Sequence, residues 1–183
     1  MTNIVAACDW SEVEDGRIVQ ARYLESPNHD ARPEGTAIDL LVIHFISLPA
    51  GQFGGEAITR LFTNTLDEAE HPGFIGLSAL RVSSHFLIRR DGSLIQYVPC
   101  DRRAWHAGVS SWRGRSRCND FSIGIELEGC EYLPFESSQY QTLNALLPVL
   151  KARYPIVDVV GHEHIAPGRK IDPGPCFDWS AIA

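Results

Sequence analysis

Motifs that mark several large enzyme classes are missing from this sequence. No two cysteines form a Cys-x-x-Cys pair, so the spacing of a zinc ribbon is absent. The sequence also contains no Gly-x-Ser-x-Gly nucleophile elbow, no phosphate-binding P-loop and no Gly-x-Gly-x-x-Gly dinucleotide fingerprint. These absences argue against a serine hydrolase of the elbow type, a P-loop nucleotidase and a dinucleotide-dependent oxidoreductase.

The chain also has no long apolar run and no basic leader. No stretch approaches the roughly 20 apolar residues that a membrane-spanning helix needs. The first residues, MTNIVAACDW, lack a basic region, and their apolar run is too short for a signal peptide. The cysteines are odd in number and scattered, which is typical of reduced thiols: Cys8, Cys100, Cys118, Cys130 and Cys176. The sequence therefore predicts a cytoplasmic protein that is neither exported nor membrane-bound.

Negative charge exceeds positive charge in this chain. Asp and Glu number 23 and Lys and Arg number 16, which gives a net charge of −7. An acidic protein lacks the counterion release that drives nucleic-acid binding, so we do not expect a nucleic-acid partner. The segment 102–117 is an exception, and it is either a binding patch for a small anion or a solvated loop. Its arginines are Arg102, Arg103, Arg113, Arg115 and Arg117.

The length and the hydrophobic pattern indicate one α/β domain. A chain of 183 residues with 44% hydrophobic residues can bury a sizeable core as a single domain, residues 1–183. Short apolar runs predict strands, and apolar residues at helical spacing predict two helices, near 56–66 and 138–153. Elements interleaved in this way predict a mixed α/β domain with one central sheet. The predicted strands are 38–46, 84–90, 93–98, 121–128 and 156–160.

Local signals refine three of these elements. Asp91-Gly92 lies between two apolar runs and predicts a hairpin turn. Ser138 and Gln141 have the spacing of a capping box, so we expect the second helix to begin there. The tail, residues 161–179, is polar and rich in Pro and Gly, and we expect it to form a loop.

Two histidines and an aspartate form a plausible zinc site. His44 ends an apolar strand, His162 follows another strand, and Asp172 comes ten residues later. Three protein ligands leave a fourth position for water, which is the mark of a catalytic zinc. His164 is a competing ligand, and spacing alone does not choose between His164 and Asp172. Lys170 lies two residues from Asp172, so in an extended segment both side chains face the same site.

Glu126 is a candidate general base in the middle of a predicted strand. Its neighbour Gly124, on the same face, admits close approach of another group. A carboxylate within one hydrogen bond of an activated water can take its proton. The alternative, which the pattern alone slightly favours, is an edge strand with Glu126 on a wet face.

Four segments resemble one enzyme family. They are VIHFIS at 42–47, SSHFLIRRDG at 83–92, RAWHAGVSSWRGRSRCNDFSIGIELEG at 103–129 and GHEHIAPGRKIDPGP at 161–175. The chain resembles, over about residues 20–179, the zinc amidases shared by bacterial N-acetylmuramyl-L-alanine amidases, phage lysozyme-type amidases and peptidoglycan recognition proteins. The resemblance implies a mixed sheet flanked by helices. It also implies one Zn²⁺ per chain on His44, His162 and Asp172, rather than on His164, and a catalytic pair, Glu126 and Lys170.

The implied reaction is hydrolysis of the amide bond between (1,6-anhydro)-N-acetylmuramic acid and L-Ala of muropeptides, in cytoplasmic cell-wall recycling. The expected partner is that small substrate, and we expect a monomer. A muropeptide-binding module of the same fold is the alternative, but all five metal and catalytic positions are present, which favours the enzyme. An unrelated metallohydrolase would not account for the long segments.

The substrate groove is predicted only by neighbourhood in the resembling segments. The residues are Arg81, Trp105, His106, Arg115 and Arg117. One position departs from the family, because the residue after the first histidine is commonly Asn and here it is Phe45. If that Asn holds the peptide in relatives, this protein must hold it in another way.

Overall fold

A computed structural model describes residues 13–182 of the chain. Residues 1–12, which include Cys8 and the N-terminal apolar run, and residue 183 lie outside the described residues. Twelve short strands are present in the described part: β1 Val13–Glu14, β2 Arg17–Ile18, β3 Arg22–Tyr23, β4 His29–Ala31, β5 Leu40–Ile46, β6 Phe86–Ile88, β7 Leu94–Gln96, β8 Arg102–Ala104, β9 Ser111–Trp112, β10 Arg115–Ser116, β11 Ser122–Glu128 and β12 Asp158–Gly161.

Helical segments are fewer and shorter. The α-helices are α1 Ala57–Phe62, α2 Ser137–Arg153 and α3 His162–Ile165. Single 3₁₀ turns occur at Glu68–Glu70, Pro72–Phe74, Cys118–Asp120 and Trp179–Ala181. Between residues 13 and 182, no helix is both long and apolar enough to cross a membrane.

Six strands form the central sheet in the order β12-β5-β11-β6-β7-β3. Strands β12, β5, β11 and β6 are parallel, while β7 runs antiparallel to β6. The hairpin from β6 to β7 turns at the predicted Asp91-Gly92, where Gly92 has φ 84. The predicted mixed sheet is therefore confirmed.

The two faces of the sheet are covered by different parts of the chain. Odd-numbered residues of β5 and β11 face α2, which contributes Leu143, Leu146, Leu147 and Leu150 to a buried core. On the other face, α1 packs over β6 and β7, with Ile58 and Phe62 near Leu87 and Tyr97. Burying each such side chain contributes roughly 1.5–3 kcal/mol. The expectation of a sheet flanked by helices on one domain is confirmed by these layers.

Two sequence-based expectations were wrong in detail. Glu136, not Ser138, is the N-cap of α2, and its backbone N–H donates to the side chain of Gln139 at 3.0 Å. The Ser138 hydroxyl instead donates to the carbonyl of Arg90 at 2.7 Å, so it ties the helix to the hairpin. The tail after β12 is not all loop, since α3 forms there. Its four residues are too few to give a helical period in the sequence.

The carboxyl ends of β5 and β12 lie side by side. In this parallel pair Gly161 is opposite Ile43, so the residues that follow the two pairing positions are His44 and His162. Ligand sites in open α/β sheets lie just beyond the carboxyl ends of parallel strands. The topology thus brings the two histidines, which are 118 residues apart in sequence, to one place.

Candidate metal centre

His44, His162 and Asp172 meet at the carboxyl ends of β5 and β12. The Nδ1 atoms of the two histidines are 3.0 Å apart, and Asp172 Oδ2 lies 2.9 Å from the first and 3.1 Å from the second. All three residues are buried. Among the described residues they form a group that could hold a metal ion.

The tail folds back on β12 to place Asp172. The N–H of Glu163 donates to the carbonyl of Asp172 at 2.8 Å, which fixes the backbone of Asp172 beside α3. Pro173 packs directly over Gly161, where a Cβ would lie only 2.6 Å from the proline ring. A side chain at 161 would push the tail away, so this glycine permits the approach of Asp172 to the histidines.

The electrostatics of this group favour a neutral histidine beside an ionised aspartate. Burial lowers the pKa of His44 to about 4, although Asp172 opposes the shift. Burial disfavours the charge of Asp172, but its hydrogen bonds to His162 and His44 outweigh burial and hold the pKa of this carboxyl below its usual range. Neutral imidazole and ionised carboxylate are the forms that bind metals.

The hydrogen-bonding capacity of the three groups fits a cation between them. His162 Nε2 lies 3.0 Å from the carbonyl oxygen of Ala107, which can only accept, so the proton of neutral His162 is on Nε2 and a lone pair is on Nδ1. The three atoms that face one another are His44 Nδ1, His162 Nδ1 and Asp172 Oδ2. Of these, only His44 Nδ1 could still carry a proton when both rings are neutral. Lone pairs would face one another. A cation satisfies all three, and two imidazole nitrogens with one carboxylate oxygen are ligands that zinc takes.

His164, the competing ligand, points elsewhere. Its side chain is partly exposed, and its Nδ1 accepts a hydrogen bond from the Gly161 N–H at 2.8 Å. This bond occupies a ring nitrogen at the start of α3. Spacing had left the choice between His164 and Asp172 open, and the fold brings Asp172, not His164, to the two histidines.

Glu126 lies directly opposite His44 in the pairing of β11 with β5. Strand β11 runs between β5 and β6, so the alternative of an edge strand with a wet face was wrong. The side chain is buried, and within the described part of the chain its Oε2 has no hydrogen-bond partner. Burial, and then the charge of Asp172, raises the pKa of Glu126 well above its usual range. A raised pKa makes a carboxylate a stronger acceptor of a proton.

Lys170 is an exposed residue of the tail, two residues before Asp172. Its charge acts on Glu126, whose pKa it lowers against the larger effect of burial, and on His44. The ammonium is therefore close enough to interact electrostatically with both groups. Its backbone N–H donates to the carbonyl of Ala166 at 3.0 Å, which anchors this part of the tail to the end of α3.

The predicted substrate residues lie in different settings. Trp105 is partly buried, and its Nε1–H donates to Asp30 Oδ1 at 3.3 Å. Arg81 is exposed, and its guanidinium donates to the carbonyls of Ser78 and Leu80 within its own loop. His106 is beside His44, with its Nδ1 2.9 Å from His44 Nε2. Their roles toward a substrate stay predictions.

Each arginine from Arg103 to Arg117 has an aspartate partner. Arg115 pairs with Asp39 at 2.6 Å, and its guanidinium lies over the ring of Phe121. Arg117 pairs with Asp120 at 3.2 Å. The two others follow the same pattern, Arg103 with Asp30 and Asp120 and Arg113 with Asp158. The side chains of Arg113, Arg115 and Arg117 are exposed, and exposed pairs contribute only about 0–1 kcal/mol, whereas Arg103 is partly buried.

Phe45 faces away from the metal centre. Successive residues of a strand point to opposite faces, so Phe45 lies on the face opposite to that of His44. It packs against the core cluster beneath α2, which includes Phe135 and Phe177. The departure from Asn at this position therefore changes the packing under the sheet.

Arg169 is a residue of the site that the sequence did not single out. Its guanidinium donates to the carbonyl oxygens of Ala107 and Val109, both at 2.7 Å. Arg169 thereby ties the tail to the loop that contains Ala107, whose carbonyl oxygen contacts His162 Nε2. Backbone carbonyls leave no trace in a sequence, and the only signal was the position of Arg169 between His162 and Asp172.

Comparison with known proteins agrees with this geometry. The family model for N-acetylmuramoyl-L-alanine amidase matches residues 34–175. The 1,6-anhydro-N-acetylmuramyl-L-alanine amidase AmpD of Citrobacter freundii is 55% identical over 170 residues, which covers 92% of this chain and 91% of that protein. A crystal structure of a selenomethionine AmpD derivative gives a TM-score of 0.91 at 55% identity and covers 93% of this chain and 96% of that chain.

A more distant structure contains a ligand. AmiD from Escherichia coli, in complex with the substrate anhydro-N-acetylmuramic acid-L-Ala-D-gamma-Glu-L-Lys, gives a TM-score of 0.59 at 35% identity. The match covers 81% of this chain and 58% of AmiD. From the family match and the identity to AmpD over most of both chains, we conclude that this chain belongs to the N-acetylmuramoyl-L-alanine amidase family.

Proposed function

We propose that this protein is a zinc-dependent amidase that hydrolyses the bond between 1,6-anhydro-N-acetylmuramic acid and L-Ala of muropeptides. The observation that carries the proposal is the convergence of His44, His162 and Asp172 beside Glu126, a buried carboxyl with an unpartnered oxygen. The name of the AmpD relative and the ligand of AmiD supply the substrate class.

His44, His162 and Asp172 would hold the ion. Zinc bound by three protein ligands supplies Lewis acidity and lowers the pKa of bound water from 15.7 to about 7. The expected content is one zinc per chain. The burial of all three ligands keeps their lone pairs away from bulk water, and burial lowers the pKa of His44, which limits protonation of that ring.

Glu126 is the proposed general base and then the general acid. It takes a proton from the attacking water and delivers it to the leaving nitrogen of L-Ala. Its raised pKa makes the carboxylate a stronger acceptor of the water proton, which it then passes to the leaving nitrogen. Proton transfer by a positioned carboxyl typically contributes about 10²–10⁴-fold to the rate.

Lys170 is the proposed electrostatic partner of the negative charge that develops on the amide oxygen. Lys170 is exposed, and its charge acts on Glu126 and His44. Removal of one such charge-stabilising group typically costs about 2.7–4 kcal/mol in the transition state. Nearby arginines, including Arg117, would bind carboxylates of the stem peptide.

A binding module that keeps the fold without hydrolysis is the second candidate. Such a module has no need for a buried carboxyl opposite a metal ligand, and burying Glu126 without a partner for Oε2 opposes stability. A cost of this kind is typical of a site kept for chemistry. We therefore propose the enzyme.

The cellular setting of the proposal is cytoplasmic cell-wall recycling by a monomer. The four cysteines in the described part of the chain are free, and three of them are buried, which agrees with a reducing compartment. The chain also resembles a 1,6-anhydro-N-acetylmuramyl-L-alanine amidase over 92% of its length.

Peptide release from a purified anhydromuropeptide tests the function. We expect the protein to release the stem peptide, a chelator to abolish release, and added zinc to restore it. Chromatography of the products identifies the bond that is cut. Tight binding of the anhydromuropeptide with no released peptide in the presence of zinc would favour the binding module instead.

A further inference from the structure

Two consecutive residues, His106 and Ala107, contact both histidines of the metal centre. His106 Nδ1 lies 2.9 Å from His44 Nε2, and the carbonyl oxygen of Ala107 lies 3.0 Å from His162 Nε2. In each case the contact is to the ring nitrogen that does not face Asp172. A neutral imidazole carries one proton, and it can bind a metal only through the nitrogen without it.

The Ala107 carbonyl determines where the proton of His162 lies. A carbonyl only accepts, so the Nε2 that faces it carries the hydrogen, and Nδ1 keeps its lone pair. The same oxygen accepts a second hydrogen bond from Arg169 Nη2 at 2.7 Å. Because a carbonyl has two lone pairs, it can accept both bonds at once. Arg169 Nη2 lies 3.4 Å from His162 Nε2, but its other hydrogen goes to the carbonyl of Val109 at 2.7 Å, so it leaves the proton on Nε2.

A longer chain of hydrogen bonds determines where the proton of His44 lies. The Ser122 hydroxyl donates its only hydrogen to the carbonyl of Cys118 at 2.6 Å. Toward His106 Nε2, 3.2 Å away, Ser122 can therefore only accept, so the proton of His106 is on Nε2. His106 Nδ1 is then an acceptor, and the proton between it and His44 belongs to His44 Nε2. This leaves the lone pair of His44 on Nδ1, which faces Asp172.

The dipeptide itself is fixed from two sides. Asn119 Oδ1 accepts both backbone N–H groups, from His106 at 3.2 Å and from Ala107 at 2.8 Å. The His106 ring lies against Gly124 of β11, where a Cβ would be 2.6 Å from the ring. Asn119 and Gly124 therefore fix the positions of His106 and Ala107 relative to β11, the strand that carries Glu126.

We propose that His106-Ala107, fixed by Asn119, is the positioning element that sets the tautomers of both histidine ligands. In this proposal His106 acts through His44, whereas the sequence predicts a substrate contact, and the KM measured below separates the two roles. The inference rests on the proposed metal site and deepens it, since it says which residues prepare that site before the ion binds. Outer partners of this kind typically change metal affinity by 10–100-fold.

Ring-nitrogen NMR on metal-free wild-type protein tests the chain of hydrogen bonds directly. With ¹⁵N-labelled histidine, we expect His44, His106 and His162 each to show a protonated Nε2 and an unprotonated Nδ1. A proton on Nδ1 of His106 or of His44 would overturn the proposal. This readout needs neither zinc nor activity, so it gives an answer even if the proposed function fails.

Two substitutions of similar size distinguish a role of His106 as a hydrogen-bond acceptor for His44 from a role in packing alone. His106→Leu removes the acceptor, whereas His106→Asn keeps an oxygen near the position of Nδ1. We expect His106→Leu to weaken zinc binding by about 10–100-fold in a chelator competition, and His106→Asn to retain most of the affinity. At saturating zinc the KM for an anhydromuropeptide should stay close to the wild-type value in both variants.

Each other outcome counts against the proposal. Wild-type zinc affinity in His106→Leu, or an equal loss in both variants, would show that the acceptor is not what matters. A KM raised in both variants with zinc affinity unchanged would return His106 to the substrate groove. If His106→Leu does not fold, the comparison of His106→Asn with wild type and the NMR experiment still decide the matter. Failure of the wild-type protein to bind zinc would instead defeat the proposed function.

Discussion

His44 and Glu126 are opposite each other on the adjacent parallel strands β5 and β11. A proposed metal ligand and the proposed base are therefore held by the hydrogen-bonded register of the central sheet. Neither depends on a loop for its position. Side chains supported by rigid elements keep a catalytic geometry better than side chains on loops.

The metal centre predicts a clear difference between His44 of β5 and His164 of α3. His44→Ala should lose the zinc, since three ligands with one removed bind it poorly. His164→Ala should keep one zinc per chain, because the His164 ring is partly exposed and bonded to the Gly161 N–H. Elemental analysis of the purified variants measures both. Loss of zinc from His164→Ala with retention in His44→Ala would overturn the ligand set.

The close approach of His106 to Gly124 predicts a cost for any side chain there. A Cβ at 124 would lie 2.6 Å from the His106 ring, and overpacking of this kind typically costs about 1–3 kcal/mol. Gly124→Ala should therefore lower the free energy of unfolding of the metal-free protein and weaken zinc binding. Gly73→Ala is the control, because its nearest contact is the partly exposed side chain of His71, at 3.0 Å, rather than a buried ring. Urea unfolding compares them, and equal stability of the two variants would contradict the account.

We expect substitution of Arg117 to affect substrate binding more than the rate of the chemical step. Arg117→Ala should raise KM for a stem peptide with free carboxylates more than it lowers kcat, because the charge is remote from the bond that is cut. Arg113→Ala is a matched control, since Arg113 is similarly exposed and pairs with Asp158. Steady-state kinetics give both constants. Unchanged KM in Arg117→Ala would mean that the arginine serves only its pair with Asp120.

We expect substitution of Phe45 to lower the stability of the protein without weakening substrate binding. Phe45 packs into the core beneath α2 and is only partly buried, so Phe45→Ala should cost about 1–3 kcal/mol, below the 3–5 kcal/mol typical of a fully buried Phe. Thermal unfolding measures the change. A large rise in KM with normal stability would show that Phe45 reaches the groove after all.

The strands that carry the site were predictable from the sequence, but their neighbours were not. The apolar runs at 38–46 and 121–128 correspond to β5 and β11, because buried strands show themselves in composition. Strand order depends on contacts between distant segments, so nothing local showed that β11 is central. For that reason the sequence alone is compatible with an edge strand on which Glu126 faces solvent. The strand order shows instead that β11 is central and that Glu126 is buried.

The contacts around the metal centre show a second limit. His44, His162 and Asp172 were identified as candidates because ligands are recognisable residue types. The Ala107 carbonyl and the Asn119 side chain that fixes it were invisible, since any residue supplies a carbonyl and Asn occurs in many turns. The aspartate partners of Arg115 and Arg113 lie 76 and 45 residues away in sequence, so the apparent basic segment could not be recognised as paired.

Substitution of Glu126 by Gln tests the central claim most directly. Glu126→Gln keeps the size of the side chain and removes the proton acceptor, and Glu126 is not a proposed ligand. We predict one zinc per chain, nearly unchanged affinity for an anhydromuropeptide by calorimetry, and a hydrolysis rate lower by about 10²-fold or more. Near-normal turnover would show that Glu126 is not the base, and loss of zinc together with activity would show that it supports the metal site instead.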